Sequence, residues 1–94
     1  MIKHLYNYAD GKKKPFATIA IVDGNVGLAV CSSKDQFNKK RGREIALARA
    51  TKGTPPQEVS GSVFRGGRRV TKDAAIADAM EWMLLHSKKD GQHD

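Results

Sequence analysis

Cysteine is almost missing from this chain of 94 residues, and with it the patterns that mark most metal and catalytic centres. The single cysteine, Cys31, excludes a disulfide framework and ends an apolar stretch, where a small buried side chain is its expected role. The histidines, His4, His86 and His93, have no spacing typical of metal ligands. We therefore expect no catalytic residues, no metal ion and no cofactor, and a protein that is not an enzyme.

Long apolar runs are missing as well. No segment approaches the run of about 20 apolar residues that a membrane-spanning helix requires. The first ten residues lack the basic and then apolar layout of a signal peptide. The composition is that of a globular domain, with 39% hydrophobic and 29% charged residues. We expect one domain over residues 1–88, a flexible polar tail over 89–94, and a location in the cytoplasm.

Acidic residues are scarce in the first half of the chain. Residues 1–53 contain 11 Lys and Arg against 4 Asp and Glu, a net charge of +7, whereas residues 54–94 contain six of each kind. A positive field of this kind, with a sequence pI near 9.8, attracts polyanions, and nucleic acid is the usual one. The alternative is a basic surface that only keeps the protein in solution.

Apolar alternation and turn residues predict a three-stranded antiparallel meander. Residues 2–8 are rich in strand-forming side chains, and "FATIAIV" and "VGLAVC" predict two strands joined by a tight turn at Asp23-Gly24. "ADGKKKP", between the first two strands, predicts a turn that includes Lys12–Lys14. One face of the second hairpin is wholly apolar and predicts core. Its other face, which includes Phe16 and Thr18, is less apolar and is predicted to be only partly covered by the rest of the chain.

Agreeing start and stop signals predict a helix over about 34–52. Ser33 and Gln36 match a capping box, and Gly53 is placed to end the helix. Small residues recur every four positions and would let this helix lie close to the sheet. These residues are Gly42, Ala46 and Ala50.

A short β finger and a second helix complete the predicted α+β fold. In "SVFRGGRRV", apolar residues flank the pair Gly66-Gly67, which predicts a tight turn. Thr71 is placed to cap a helix over about 72–88. The predicted architecture is therefore a three-stranded antiparallel sheet with a helix packed on it, a short β finger and a C-terminal helix.

Two groups of basic residues are candidates for contact with DNA or RNA. One lies on the first helix (Lys39, Lys40 and Arg43) and the other surrounds the finger (Arg65, Arg68 and Arg69). Each Lys or Arg that binds a phosphate releases counterions, and arginines on a glycine-flanked finger are suited to a groove or to exposed bases. The solvated side of a helix and a merely polar turn are the alternatives. Tyr6 and Tyr8 share one strand face, either as core residues or as aromatic support.

The second helix is apolar on more than one side. Its inner stripe is Ile76, Ala79, Met80 and Met83, and both Trp82 and Leu85 fall outside it. Such a helix is either buried by the rest of the chain or offers a surface to a partner. Trp82 and Leu85 are therefore the candidate interface for a partner protein or for a homodimer.

The stretch "VGLAVCSSKDQFNKKRGREIALARATKG", residues 26–53, resembles small uncharacterised proteins of bacteriophages and prophages. In those proteins a strand that ends near "AVCS" leads into an Asp-x-Phe and a Gly-Arg-x-x-Ala helix. The resemblance covers about a third of the chain and brings no activity and no catalytic residues with it. It implies a phage or mobile-element origin, an accessory role and a location in the host cytoplasm.

Two hypotheses follow from these patterns. The first is a non-enzymatic phage-type accessory protein that binds nucleic acid through the basic helix face and the arginine-rich finger. The alternative is a phage-encoded modulator or inhibitor that binds a host or phage protein, in host takeover or against host defence.

Overall fold

An antiparallel meander forms the middle of the molecule. The computed structural model describes residues 1–31 and 38–91, and residues 87–91 are described by their backbone alone. The strands of the meander are β1 (Ile2–Ala9), β2 (Lys12–Val22) and β3 (Asn25–Val30), in the order β1-β2-β3. Helix α1 (Lys39–Lys52), a hairpin of β4 (Ser62–Arg65) and β5 (Arg68–Thr71), and helix α2 (Lys72–Gly91) follow. The predicted α+β fold is confirmed.

Each of the three hairpins in the described ranges turns on two residues with positive φ. These pairs are Asp10-Gly11, Asp23-Gly24 and Gly66-Gly67. Positive φ at both central positions defines the type I′ turn, whose twist matches that of the flanking strands. The first turn is shorter than predicted, because Lys12–Lys14 pair with β1 as the start of β2. The assignment of these lysines to a turn is therefore wrong.

A β-bulge in β2 changes the direction of Phe16. Leu5 pairs with Ala17 and Tyr6 pairs with Pro15, so Phe16 is the extra residue between them. An inserted residue interrupts the alternation of side chains. Phe16 is consequently buried with Leu5 and Ala17. The prediction that placed Phe16 beside Thr18 is wrong, because a period of two holds only along a regular strand.

Both faces of the sheet are covered. On the face that was predicted to be core, strand residues pack against β4 and α2, and we call it the α2 face. The largest fully buried apolar side chains there are Leu5, Ile19, Leu28, Val63 and Met83. On the opposite face, the α1 face, Ala20 and Ala29 pack against helix α1.

Helix α1 lies close to the sheet because the residues at the contact are small. Gly42, Ala46 and Ala50 are its buried residues, which confirms the predicted ridge. The backbone at Ala46 and Ala50 lies over Gly27 of β3, where an added Cβ would clash with the carbonyl oxygen of Ala46 and the nitrogen of Ala50. No side chain fits at position 27 without moving the helix.

Helix α1 begins later than predicted. Asn38 is extended, with φ −121° and ψ 112°, and its Oδ1 accepts a 3.1 Å hydrogen bond from the backbone N–H of Arg41. Lys39 is therefore the first residue of α1, and the prediction of an unbroken helix through residue 38 is wrong. The predicted start at 34 lies outside the described residues. The predicted capping box of Ser33 and Gln36 lies outside the described residues.

The end of α1 and the start of α2 agree with the prediction. Gly53 ends α1 in the left-handed conformation, with φ 73°. Thr71 Oγ1 accepts a 3.1 Å hydrogen bond from the N–H of Ala74 at the start of α2. Helix α2 continues to Gly91, three residues beyond its predicted end. In the described part of the chain, no helix is long and apolar enough to cross a membrane.

The outer edge of β3 is partly closed by a side chain from α1. The Arg49 guanidinium donates a hydrogen bond to the backbone carbonyl oxygen of Leu28. This contact attaches the helix to the strand at the far side of the sheet from β1.

Candidate nucleic-acid interface

Strand β1 carries aromatic side chains on the α1 face. It is an edge strand, and α1 packs over β2 and β3, so this part of the face is less covered. Tyr8 is 49% exposed and Tyr6 is half-buried. Their ring centroids are 6.4 Å apart, with the ring planes tilted by 53°. The alternation that placed both tyrosines on one strand face is confirmed.

Ammonium groups from two other elements reach the ring of Tyr6. Lys13 Nζ, from β2, lies 4.3 Å from the ring centroid, and Lys39 Nζ, from α1, lies 5.3 Å from it. Both distances are within the range of a cation–π interaction. Tyr6 therefore joins the first turn of α1 to the beginning of β2.

His4 lies in the same positive field. Burial, and after it the charges of Lys39 and Arg43, lower the pKa of His4 below its ordinary value of 6.5. His4 Nδ1 and Thr18 Oγ1 form a 2.8 Å hydrogen bond. Because Arg43 follows Lys39 by one turn of α1, both side chains are on the side of the helix that faces β1. We call Tyr6, Tyr8, Lys13, Lys39 and Arg43 the basic–tyrosine surface.

Lys40 is not part of this surface. It lines a shallow depression on the outer side of α1 with Arg41 and Glu44. The structure therefore brings together two of the three predicted helix residues, Lys39 and Arg43, and separates the third from them.

The first turn of α1 concentrates positive charge at an unfavourable place. It contains Lys39, Lys40 and Arg41 and no acidic residue. The N-terminal end of a helix carries a positive partial charge, so each cation there destabilises the helix by about 0.3–1 kcal/mol. An anion bound at this end would relieve the repulsion between these charges.

The arginine-rich finger lies on the other face of the sheet. Val63 of β4 is buried in the core of the α2 face, and the N–H of Phe64 donates a 2.9 Å hydrogen bond to Asn7 Oδ1. Since α1 covers the α1 face, the sheet lies between the finger and the basic–tyrosine surface.

The three predicted finger arginines are near one another but have different surroundings. The guanidinium carbon of Arg69 lies 5.1 Å from the Phe64 ring centroid, and Arg68 is exposed. Arg65 is half-buried and lines a cavity of about 290 Å³ together with Lys3 and Trp82. This group is separated from Lys39 and Arg43.

Trp82 and Leu85 are exposed on α2, at 47% and 59% of their surfaces. The Trp82 ring stacks on His86 with a centroid separation of 3.8 Å, and Lys3 Nζ lies 4.3 Å from the Trp82 ring centroid. Of the two alternatives for these side chains, burial by the rest of the described chain is therefore wrong.

Lys13 and the two tyrosines, Tyr6 and Tyr8, are the members of the surface that the sequence analysis did not select as site residues. The signal that could have found them is the length of the first turn, since a two-residue turn at Asp10-Gly11 pairs Lys13 with Tyr8. Lys13 is then next to the tyrosines rather than in a solvated loop.

No group of three or more His, Cys, Asp or Glu side chains in the described ranges could hold a metal ion. Comparison with protein-family models, with curated proteins and with solved structures gives no match for this chain. The chemistry of the basic–tyrosine surface is therefore what supports a function for this chain.

Proposed function

We propose that this protein is a non-enzymatic, phage-type accessory protein that binds nucleic acid through the basic–tyrosine surface. The observation that carries the proposal is the convergence of Lys13 and Lys39 on Tyr6, with Arg43 on the adjacent turn of α1. Three cations from two elements face one partly covered strand, where aromatic rings accompany them. The phage origin depends on the resemblance of residues 26–53 alone.

Phosphate contacts would supply most of the affinity. Each contact made by Lys or Arg makes the negative slope of log K against log salt steeper by about 0.7 for a single strand and by about 0.9 for a duplex. Lys39 and Arg43 would contribute two such contacts. The finger arginines, Arg65, Arg68 and Arg69, would bind a strand that passes around the β1 edge, or a second molecule.

The test is binding of fluorescently labelled DNA and RNA oligonucleotides, single-stranded and duplex, between about 50 and 200 mM salt. We expect binding that weakens steeply with salt, and a slope reduced by roughly 1.4 to 1.8 in the double variant Lys39→Ala/Arg43→Ala, for two lost contacts. The double variant Arg41→Ala/Lys52→Ala is the matched control, because both of its side chains are exposed on the same helix. Absence of binding at low salt, or equal losses in both variants, would refute the proposal.

The exposure of Trp82 and Leu85 favours a second candidate function, a phage-encoded modulator or inhibitor that binds a host or phage protein. A tryptophan held in place by Lys3 and His86 beside an exposed leucine is typical of the anchors at protein interfaces. The test is a pull-down from nuclease-treated host lysate with the wild type and with Trp82→Ala/Leu85→Ala. A stoichiometric partner lost only in the variant supports this function, and loss of all partners after nuclease treatment contradicts it.

A further inference from the structure

We infer that the basic–tyrosine surface selects single-stranded nucleic acid, with Tyr8 as the platform for an unpaired base and Lys13 and Lys39 as the site of the neighbouring phosphate. The inference depends on the proposed function and adds the class of substrate to it. It is carried by the different surroundings of the two tyrosine rings.

Tyr8 has the ring that a base can reach. Half of its surface is exposed, although it lies on the partly covered α1 face of an ordered strand, and its contact with Tyr6 limits the positions of the ring. In a duplex the faces of the bases are stacked on each other, so a protein ring meets only base edges or the backbone. A ring that takes up a base by its face therefore requires an unpaired base.

Tyr6 has a different role. Its ring is already approached by the ammonium groups of Lys13 and Lys39, at 4.3 and 5.3 Å. It therefore holds two cations in place for a phosphate. Since the ring centroids of Tyr6 and Tyr8 are 6.4 Å apart, Tyr6 holds these two cations beside the ring that would take up a base.

The experiment compares two single strands that carry the same number of phosphates, an oligothymidylate and an abasic strand of equal length, and a duplex. We expect the wild type to prefer the oligothymidylate over the abasic strand by at least about five-fold, which is the lower end for one stacked base. Tyr8→Ala should remove this preference and leave the affinity for the abasic strand unchanged. Tyr8→Trp should retain the preference, because it keeps an aromatic face.

Ile2→Ala is the matched control, since Ile2 is an exposed apolar residue of the same strand, β1, but carries no ring. It should leave both affinities unchanged. Thermal unfolding of each variant separates loss of fold from loss of a contact, and Tyr8→Phe provides a second, milder change that should keep the preference.

The outcomes separate the inference from the function on which it depends. Equal affinity of the wild type for the two single strands, or for single strand and duplex, overturns the inference and leaves phosphate binding in place. If Tyr8→Ala lost affinity for the oligothymidylate and for the abasic strand equally, the inference would also be overturned. No binding to any of the three overturns the proposed function as well. Binding of polyglutamate as tight as that of oligothymidylate would indicate an acidic polypeptide as the ligand and overturn the inference.

Discussion

At Gly27 the backbone of β3 comes into direct contact with the backbone of α1, and the whole α1 face depends on that approach. We expect Gly27→Ala to lower the free energy of unfolding by about 1–3 kcal/mol, the usual range for overpacking. The upper part of the range is expected because the atoms that would clash are backbone atoms. Urea denaturation measures the change, and Asn25→Ala, an exposed change in the same strand, is the control. A stability equal to that of the wild type would contradict the close contact.

His4 makes the stability of the fold depend on pH. Its folded-state pKa is lowered below 6.5, so just below this pH the unfolded chain binds the proton more readily than the folded one. Its contribution to stability is therefore fully present above about pH 6.5 and decreases as the pH falls from that value towards the folded-state pKa. Urea denaturation at about pH 7.5 and about pH 5.5 should show a smaller decrease in His4→Gln than in the wild type. Equal decreases would contradict this role of His4.

The pKa of His4 also reports on the charges around it. Because Lys39 and Arg43 help to lower it, either Lys39→Ala or Arg43→Ala should raise it towards 6.5. A bound polyanion should raise it too, since phosphate opposes the same positive field. Titration of the His4 ring protons by NMR measures these changes, with Arg41→Ala as the control. A pKa of His4 that is the same in all variants would show that burial alone lowers it.

Among the secondary-structure elements, α1 is the one that connects stability to binding. Asn38 caps its first turn, and Lys39 is the first residue of that turn. Asn38→Ala should therefore lower the free energy of unfolding by about 1 kcal/mol and also weaken binding of oligonucleotides. Asn38→Ser keeps a side-chain acceptor and should retain both properties. Urea denaturation measures the stability of the two variants, and binding titrations measure their affinity for oligonucleotides. If Asn38→Ala lowered stability without weakening binding, the cap would not be what positions Lys39.

The elements that follow local signals could be predicted from the sequence. The turns at Asp23-Gly24 and Gly66-Gly67, the C-cap at Gly53 and the cap at Thr71 each depend on residues close to them in the chain. The bulge at Phe16 could not be predicted, because it depends on the register with β1. The cap at Asn38 was not predicted, because Asn and Ser are about equally good N-caps and the earlier Ser33 was taken as the cap.

The candidate site was predictable only in part, for a similar reason. Lys39 and Arg43 were found from their charge and spacing, and the structure groups them. Lys40 was included because adjacent basic residues look equivalent in a sequence, although they point to different sides of a helix. The separation of the finger from α1 depends on which sheet face each element covers, which is a long-range property of packing.

For the whole molecule, the distribution of charge matters more than the net charge of +7. Lys39→Ala/Arg43→Ala and Arg68→Ala/Arg69→Ala each remove two positive charges, so a general electrostatic attraction would be reduced equally in both. We expect the first variant to lose more affinity for single strands, because its residues are on the basic–tyrosine surface. Binding titrations at one salt concentration measure the difference. Equal losses would indicate that the protein attracts polyanions through its overall charge.

The hydrogen bond from Arg49 to the carbonyl oxygen of Leu28 has a consequence for the association of one copy with another. A strand from a second molecule that extended the sheet beyond β3 would need this same carbonyl oxygen as an acceptor. The guanidinium occupies that position and brings a positive charge to it, which a second basic chain would have to approach. Arg49 therefore limits growth of the sheet at β3 and protects the protein against ordered aggregation from this edge.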